Sequence, residues 1–237
     1  MADIVVAHGA WSAGWAWKKM RPLMAALGHT LWTPTYTGVG ERAHLARPEI
    51  DLDVHIQDIV QVLVFEDLSD VVLIGHSYGG MVATGVAGRA GERLARLIYL
   101  DAFVPRDGQS LAALQGLDAA AVAAWRAGAQ DGWRVPPRDM PSDTPEADRE
   151  WATPRRMPQP IETLLTPVRL ARGETSLPRS YIYCTRADLS DGFRRFYERA
   201  KTEPGWTAHE IDASHNPHIT APDALATLIQ GIISGGA

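Results

Sequence analysis

A serine flanked by glycines, in the segment Gly75-His76-Ser77-Tyr78-Gly79, has the clearest potential for chemistry in this sequence. The segment follows the apolar run 71–74 and precedes small apolar residues, an order that predicts a strand, a tight turn and a helix. A serine on such a turn has an exposed hydroxyl, and the glycines avoid the crowding that larger side chains would cause. The amides at the start of the helix would stabilise negative charge nearby. The pattern therefore predicts Ser77 as a nucleophile.

A serine hydroxyl needs a neighbouring base to become a good nucleophile. Of the eight histidines, His215 and His218 lie in the loop between the last predicted strand and the final predicted helix. The serine turn resembles that of α/β-hydrolases, in which the order along the chain is nucleophile, acid, histidine; this resemblance implies a histidine in this loop. We therefore assign His215 as the general base, with His218 as the alternative.

The base in turn needs a carboxylate that orients it and stabilises its protonated form. Asp101 directly follows the apolar strand predicted after the nucleophile, so its side chain would have little freedom. Asp188 lies four residues beyond Cys184, in a polar turn where a solvated aspartate is the simpler interpretation. We favour Asp101 and keep Asp188 as the alternative acid.

Acyl transfer also creates an oxyanion, which needs N–H donors already in place. The amide of Tyr78, directly after the serine, would supply one donor. The loop after the first predicted strand, His8-Gly9-Ala10-Trp11, would supply the other, because Gly9 lets the backbone approach closely. We expect the Ala10 amide to be this second donor, with the Trp11 amide as the alternative.

The elements that must hold these residues are short apolar runs alternating with amphipathic runs. Strands are predicted at 4–8, 30–33, 71–75, 94–101, 179–184 and 206–211. Helices are predicted at 15–27, 53–65, 78–89, 118–125, 191–201 and 222–234. This alternation predicts an α/β fold with a mostly parallel sheet, helices on both faces, and loops bearing the site at the carboxyl ends of the strands.

The alternation breaks in residues 105–177, a proline-rich stretch that is too long for a passive loop. We predict a lid there, inserted into a core formed by residues 1–104 and 178–237. Trp125 and Trp133 from the insertion, with Trp11 from the core, are candidates for substrate contact. The alternative is that the insertion's tryptophans only pack it onto the core.

Composition narrows the classes of protein. A net charge of −5 gives no sign of a nucleic-acid or anionic-membrane partner, and no apolar run is long enough to cross a bilayer. The single cysteine, Cys184, excludes an internal disulfide, and no signal peptide is recognisable, so we expect a cytoplasmic protein. We expect a small-molecule ester as the partner, no cofactor and no metal, and leave a homodimer open.

The motifs together resemble the α/β-hydrolase superfamily over nearly the whole chain. The closer similarity is to the branch of plant methylsalicylate-type esterases and hydroxynitrile lyases. It rests on His8-Gly9-Ala10-Trp11 with Gly14-Trp15-Ala16-Trp17, on Gly75-His76-Ser77-Tyr78-Gly79-Gly80, and on His215 seven residues before Pro222. The acid-bearing segment of these esterases also resembles Tyr183-Cys184-Thr185, but their acid would fall on Ala187, one residue before Asp188. Other members, such as some haloalkane dehalogenases, carry the acid where Asp101 lies.

The resemblance also bears on the reaction. Hydroxynitrile lyases of this branch carry a lysine after the catalytic histidine and a threonine in the first loop, whereas this chain has Asn216 and Gly9-Ala10. Dehalogenases and epoxide hydrolases of the fold use an aspartate nucleophile, unlike Ser77. The prediction is thus a cofactor-independent serine carboxylesterase for small or aromatic esters. A lyase-like or other non-hydrolytic enzyme on the same triad, and a ligand-binding protein with slow turnover, are the alternatives.

Overall fold

The computed structural model describes residues 1–186 and 191–235. Its strands are, in chain order, β1 (Asp3–Ala7), β2 (Thr30–Trp32), β3 (Val71–His76), β4 (Leu94–Leu100), β5 (Arg134–Val135), β6 (Gln159–Pro160), β7 (Arg179–Cys184) and β8 (Trp206–Ile211). Its α-helices are α1 (Met20–Ala26), α2 (Leu52–Phe65), α3 (Gly79–Ala90), α4 (Leu111–Leu114), α5 (Ala119–Ala127), α6 (Glu146–Ala152), α7 (Glu162–Leu165), α8 (Arg194–Thr202), α9 (Pro217–Thr220) and α10 (Pro222–Ile233). Short 3-10 helices span Gly14–Trp17, Gly40–Leu45, Gly91–Arg93 and Thr153–Arg155.

Six of these strands form one parallel sheet in the order β2-β1-β3-β4-β7-β8. The predicted α/β fold with a parallel sheet is therefore confirmed, and all six predicted core strands form. Since the strands are parallel, the loops after β1, β3, β4 and β8 leave the sheet at the same edge. This edge brings distant parts of the chain together.

Both faces of the sheet are covered, because the central strands are buried on both sides. Val5 and Ala7 of β1 face one apolar core, which α2, α3 and α8 cover. Ile4 and Val6 face the other core, which α1, α9 and α10 cover. The continuous apolar runs in the sequence reflect this double burial. Within the described ranges, no helix is long and apolar enough to span a membrane.

The first predicted helix, 15–27, is shorter than expected. A 3-10 helix covers Gly14–Trp17, and α1 begins only at Met20. Pro22 explains the later start of the helix. In an uninterrupted helix the ring of Pro22 would clash with a carbonyl one turn earlier, and proline has no N–H to donate. Starting at Met20 places Pro22 in the first turn, where a helix tolerates proline.

The insertion between β4 and β7 contains four short helices, α4 to α7, and a two-stranded antiparallel ribbon of β5 and β6. The predicted helix at 118–125 is α5, and the side chain of Asp118 caps it by accepting a hydrogen bond from the Ala121 amide at 2.8 Å. The assignment of this segment as a lid stays a prediction.

Candidate active site

Ser77 lies on the tight turn between β3 and α3, in the left-handed backbone region with φ +55°. Its amide donates to the carbonyl of Leu100 at 3.2 Å, and its carbonyl accepts from the Phe103 amide at 3.1 Å. These two hydrogen bonds tie the turn to the end of β4 and hold a conformation that serine rarely adopts. A Cβ atom on Gly79 would lie 1.9 Å from the carbonyl oxygen of Ala7, so only glycine fits there.

Gly79→Ala is accordingly expected to destabilise the protein by more than about 3 kcal/mol, because a backbone-to-backbone clash cannot be relieved by a rotamer change. Gly91→Ala is the matched control, since a Cβ atom at Gly91 meets no described atom within 4 Å. We expect that variant to change stability by less than about 1 kcal/mol. Urea unfolding of both variants measures the difference, and equal stabilities would contradict a sterically enforced turn.

His215 lies in the loop between β8 and α9, at the same edge of the sheet. Its Nε2 atom is 2.9 Å from Oγ of Ser77, and its Nδ1 atom is 2.7 Å from Oδ2 of Asp101. With Nδ1–H donating to the carboxylate, Nε2 is free to accept the serine proton. The ring of Phe193 stacks on the imidazole at 4.9 Å between centroids and fixes its plane. The three side chains therefore form a continuous hydrogen-bonded line.

Asp101 follows β4 directly and is nearly inaccessible, with 6 % of its side chain exposed. Its second oxygen, Oδ1, accepts a hydrogen bond from the Cys184 amide at 3.3 Å. Burial and this second contact hold the carboxylate in one orientation toward His215. Asp188, the alternative acid, lies outside the described residues.

His218, the alternative base, makes no hydrogen bond to Ser77, whose Oγ atom pairs with His215 instead. Its ring is buried and stacks on the indole of Trp17, with 4.6 Å between centroids and 9° between planes. It also meets His76 edge to face, and His76 Nε2–H donates to the His215 carbonyl at 2.8 Å. His218 and His76 thus form a packed aromatic support beneath the loop that carries His215.

Burial holds several histidines in the neutral form. It lowers the pKa of His8 to about 4 and the pKa values of His55 and His218 to about 3. The pKa of His76 also falls well below its usual value, mainly through burial and then through His218. A charged imidazole would lose its hydration at each of these positions.

These lowered pKa values predict a pH-dependent stability. In the unfolded chain the same histidines titrate near 6.5. Between pH 6.5 and about 4 the unfolded chain therefore binds protons that the folded protein does not. Stability should be highest above pH 6.5 and fall as the pH is lowered, by up to about 1.4 kcal/mol per pH unit for each histidine.

Urea unfolding at several pH values from 7.5 to 4.5 measures this slope. His218→Gln should reduce the slope of unfolding free energy against pH by about the contribution of one histidine, whatever its effect on stability at neutral pH. His44→Gln, at an exposed position, is the matched control. An identical slope in both variants would contradict the assignment.

The loop after β1 lies against the nucleophile. A Cβ atom on Gly9 would be 2.9 Å from Nδ1 of His76 and 3.2 Å from Cβ of Ser77, so glycine permits this approach. Of the residues that the structure describes, none accepts a hydrogen bond from the amide of Ala10 or of Tyr78. The Trp11 amide, by contrast, donates to Oε1 of Gln159 at 2.9 Å. The Trp11 amide is thus occupied, whereas the Ala10 amide is available as a donor.

A cavity of about 320 Å³ opens in front of Ser77. Trp11 and Trp125 line it, and the Arg138 guanidinium lies 5.8 Å from the Trp11 ring centroid and 6.0 Å from that of Trp125. Trp133 is not among the lining residues, contrary to the expectation from the sequence. Its ring packs against the apolar core, with the guanidinium of the next residue, Arg134, above it at 5.4 Å.

Two residues of the site have no recognisable signal in the sequence. Phe193 precedes α8 and stacks on His215, and Gln159 lies in the irregular insertion and binds the Trp11 amide. Neither belongs to a motif, and both act through contacts between distant parts of the chain. Only the fold could have identified them.

The parallel sheet and the serine on the turn between β3 and α3 define the class: an α/β protein with a nucleophile elbow, the sharp strand-to-helix turn that exposes a serine hydroxyl. Residues 4–228 match the sequence pattern of the alpha/beta hydrolase family, and the chain belongs to that family. The predicted resemblance to this superfamily is thereby confirmed. The resemblance to plant methylesterases is supported by methylesterase 2 of Arabidopsis thaliana, which is 26% identical over 103 residues, covering 43% of this chain and 39% of that one.

Individual relatives support this family assignment. The chain is 38% identical over 236 residues to the carbendazim hydrolyzing esterase of Nocardioides sp. strain SG-4G, covering 95% of this chain and 97% of that one. It is 28% identical over 104 residues to salicylic acid-binding protein 2 of Nicotiana tabacum, covering 43% of this chain and 39% of that one. Among solved structures, an extracellular alpha/beta-hydrolase from a Paenibacillus species superposes with a TM-score of 0.81 at 24% identity, covering 97% of this chain and 98% of that one.

Proposed function

We propose that this protein is a serine carboxylesterase that cleaves small or aromatic esters through an acyl-enzyme. The observation that carries the proposal is the hydrogen-bonded line from Ser77 through His215 to Asp101, with 2.9 Å and 2.7 Å between the linked atoms. In the proposed reaction, Oγ of Ser77 attacks the ester carbonyl carbon while Nε2 of His215 takes the hydroxyl proton. The carboxylate of Asp101 stabilises the imidazolium that forms.

The attack places a negative charge on the former carbonyl oxygen. The amides of Ala10 and Tyr78 would bind this oxyanion, and the first turn of α3 would add its dipole. Collapse of the tetrahedral intermediate breaks the ester C–O bond, and His215 passes its proton to the leaving alcohol. Water then attacks the acyl carbon while His215 takes one of its protons. The bond between the acyl carbon and Oγ of Ser77 breaks, His215 returns the proton to Oγ, and the carboxylic acid is released.

The cavity indicates the size of the substrate. About 320 Å³ accommodates a small aromatic or short-chain ester, and Trp11 and Trp125 offer flat apolar walls. The insertion 105–177 supplies many of the residues that line the cavity, which supports its proposed role as a lid. The name of the Nocardioides relative adds carbendazim to the substrates that should be tried.

A reactive organophosphate tests the proposal. We expect a p-nitrophenyl dialkyl phosphate to inactivate the enzyme with one equivalent of p-nitrophenol released, and peptide mapping to place the phosphoryl group on Ser77. The same protein should turn over p-nitrophenyl butyrate steadily before inactivation. Labelling at another residue, or negligible hydrolysis by the unmodified protein, would reject a serine esterase.

A further inference from the structure

We propose that Gln159, a buried side chain of the insertion, is a positioning residue that holds the loop after β1 in its oxyanion-binding conformation. This inference rests on the function proposed above. Gln159 lies 148 residues beyond Trp11 in the chain, yet its Oε1 atom accepts the Trp11 amide at 2.9 Å. A second clamp lies beside the first, because the Trp11 indole Nε1–H donates to the Val135 carbonyl at 3.0 Å.

The clamp holds a backbone conformation that would not persist alone. Trp11 has φ +56°, in the left-handed region that a bulky side chain adopts only when its surroundings impose it. Both N–H groups of Trp11 donate hydrogen bonds to the β5–β6 ribbon. Their acceptors, Val135 and Gln159, are directly paired across that ribbon. The insertion therefore supplies the acceptors for both N–H groups of Trp11, while the ring also packs against the apolar core.

The orientation of Gln159 is itself fixed. The residue is 1 % exposed, and the Nε2 group of its side chain donates to Oγ1 of Thr163 at 2.8 Å. The Thr163 hydroxyl donates in turn to the Pro160 carbonyl at 2.6 Å. With the amide nitrogen engaged on this side, Oε1 is directed at Trp11.

The contact between Gln159 and Trp11 affects the neighbouring amide, that of Ala10. Because Gln159 occupies the Trp11 N–H, that group is withdrawn from the oxyanion, and among residues 1–186 and 191–235 the Ala10 amide has no acceptor. Loss of the Gln159 contact would let Trp11 leave the left-handed region, which rotates the peptide planes of the loop. The Ala10 N–H would then point away from the substrate oxygen. Gln159 would thus act on the transition state through Trp11 and Ala10, without touching the substrate.

Gln159→Leu, which keeps the approximate volume and removes the acceptor, tests this role. With p-nitrophenyl butyrate we expect kcat to fall about 10- to 100-fold and KM to change less than twofold, because a displaced oxyanion donor affects the transition state selectively. A trifluoromethyl ketone, whose hemiketal with Ser77 carries an oxyanion, should bind more weakly by the same factor. The matched secondary alcohol, which forms no adduct, should bind as to the wild type.

Gln159→Glu is the rescue variant, because one carboxylate oxygen can accept the Trp11 amide while the Thr163 hydroxyl turns to donate to the other and keeps the side chain anchored. Its kcat should lie within about fivefold of the wild type. Should Gln159→Leu fail to fold, Thr163→Val carries the test, since it removes the anchor of Gln159 and should lower kcat and trifluoromethyl ketone affinity together. Equal losses for the ketone and the alcohol, or no loss in the folded variant, would overturn the positioning role. Wild-type protein that hydrolyses no ester would instead reject the proposed function itself.

Discussion

Ser77→Ala is expected to abolish ester hydrolysis, with kcat on p-nitrophenyl butyrate lower by on the order of 10⁶-fold. The variant loses the only group that could form the acyl-enzyme in the proposed mechanism, so the residual rate comes from substrate binding and the oxyanion donors alone. The alanine side chain fits wherever the serine fits, and the turn keeps its backbone hydrogen bonds to Leu100 and Phe103. We therefore expect the thermal stability of the variant to stay close to that of the wild type.

Ser12→Ala provides the matched control. Ser12 lines the same cavity but takes no part in the line of hydrogen bonds through His215. We expect its kcat within about threefold of the wild type. Hydrolysis that persists in Ser77→Ala, or a comparable loss in Ser12→Ala, would move the nucleophile away from Ser77 and favour a different reaction in this cavity.

Asp101→Asn is expected to lower kcat by on the order of 10⁴-fold, the second largest effect. An asparagine amide can present N–H to Nδ1 of His215, which would force the proton onto Nε2 and leave no acceptor for the serine hydroxyl. The change is nearly isosteric, and the remaining side-chain oxygen can still accept the Cys184 amide. Binding of substrate should change little, so the loss should appear in kcat rather than in KM.

The same substitution at the alternative acid, Asp188→Asn, discriminates the two assignments. We expect that variant to retain kcat within about threefold of the wild type, because Oδ2 of Asp101 already lies 2.7 Å from His215. Measured side by side with one p-nitrophenyl ester, the two variants should differ by roughly three orders of magnitude. The reverse ranking would transfer the orienting role to Asp188.

Much of the fold followed from local patterns. The six strands of the parallel sheet and most of the core helices lie where apolar periodicity predicts them, since burial on two faces demands continuous apolar runs. The prediction of one helix over 15–27 was wrong at its start. Apolar periodicity does not take account of proline, and Pro22 fits only in the first turn of a helix, so the helix begins at Met20. Trp133 was placed in the substrate cavity on its residue type alone, and residue type does not determine which way a ring points.

The sequence by itself determined the serine turn, the alternation of strands and helices, and the loop that carries His215, because each depends on residues adjacent in the chain. The tertiary structure decided that Asp101 reaches His215 across 114 residues and that Gln159 binds Trp11 across 148. It also decided that His218 stacks on Trp17 and that His215 is the histidine that hydrogen-bonds to the serine. These contacts depend on the order of strands in the sheet and on how the insertion folds back over its edge, and hydrogen bonds of about 3 Å between such distant residues leave no local pattern in the sequence.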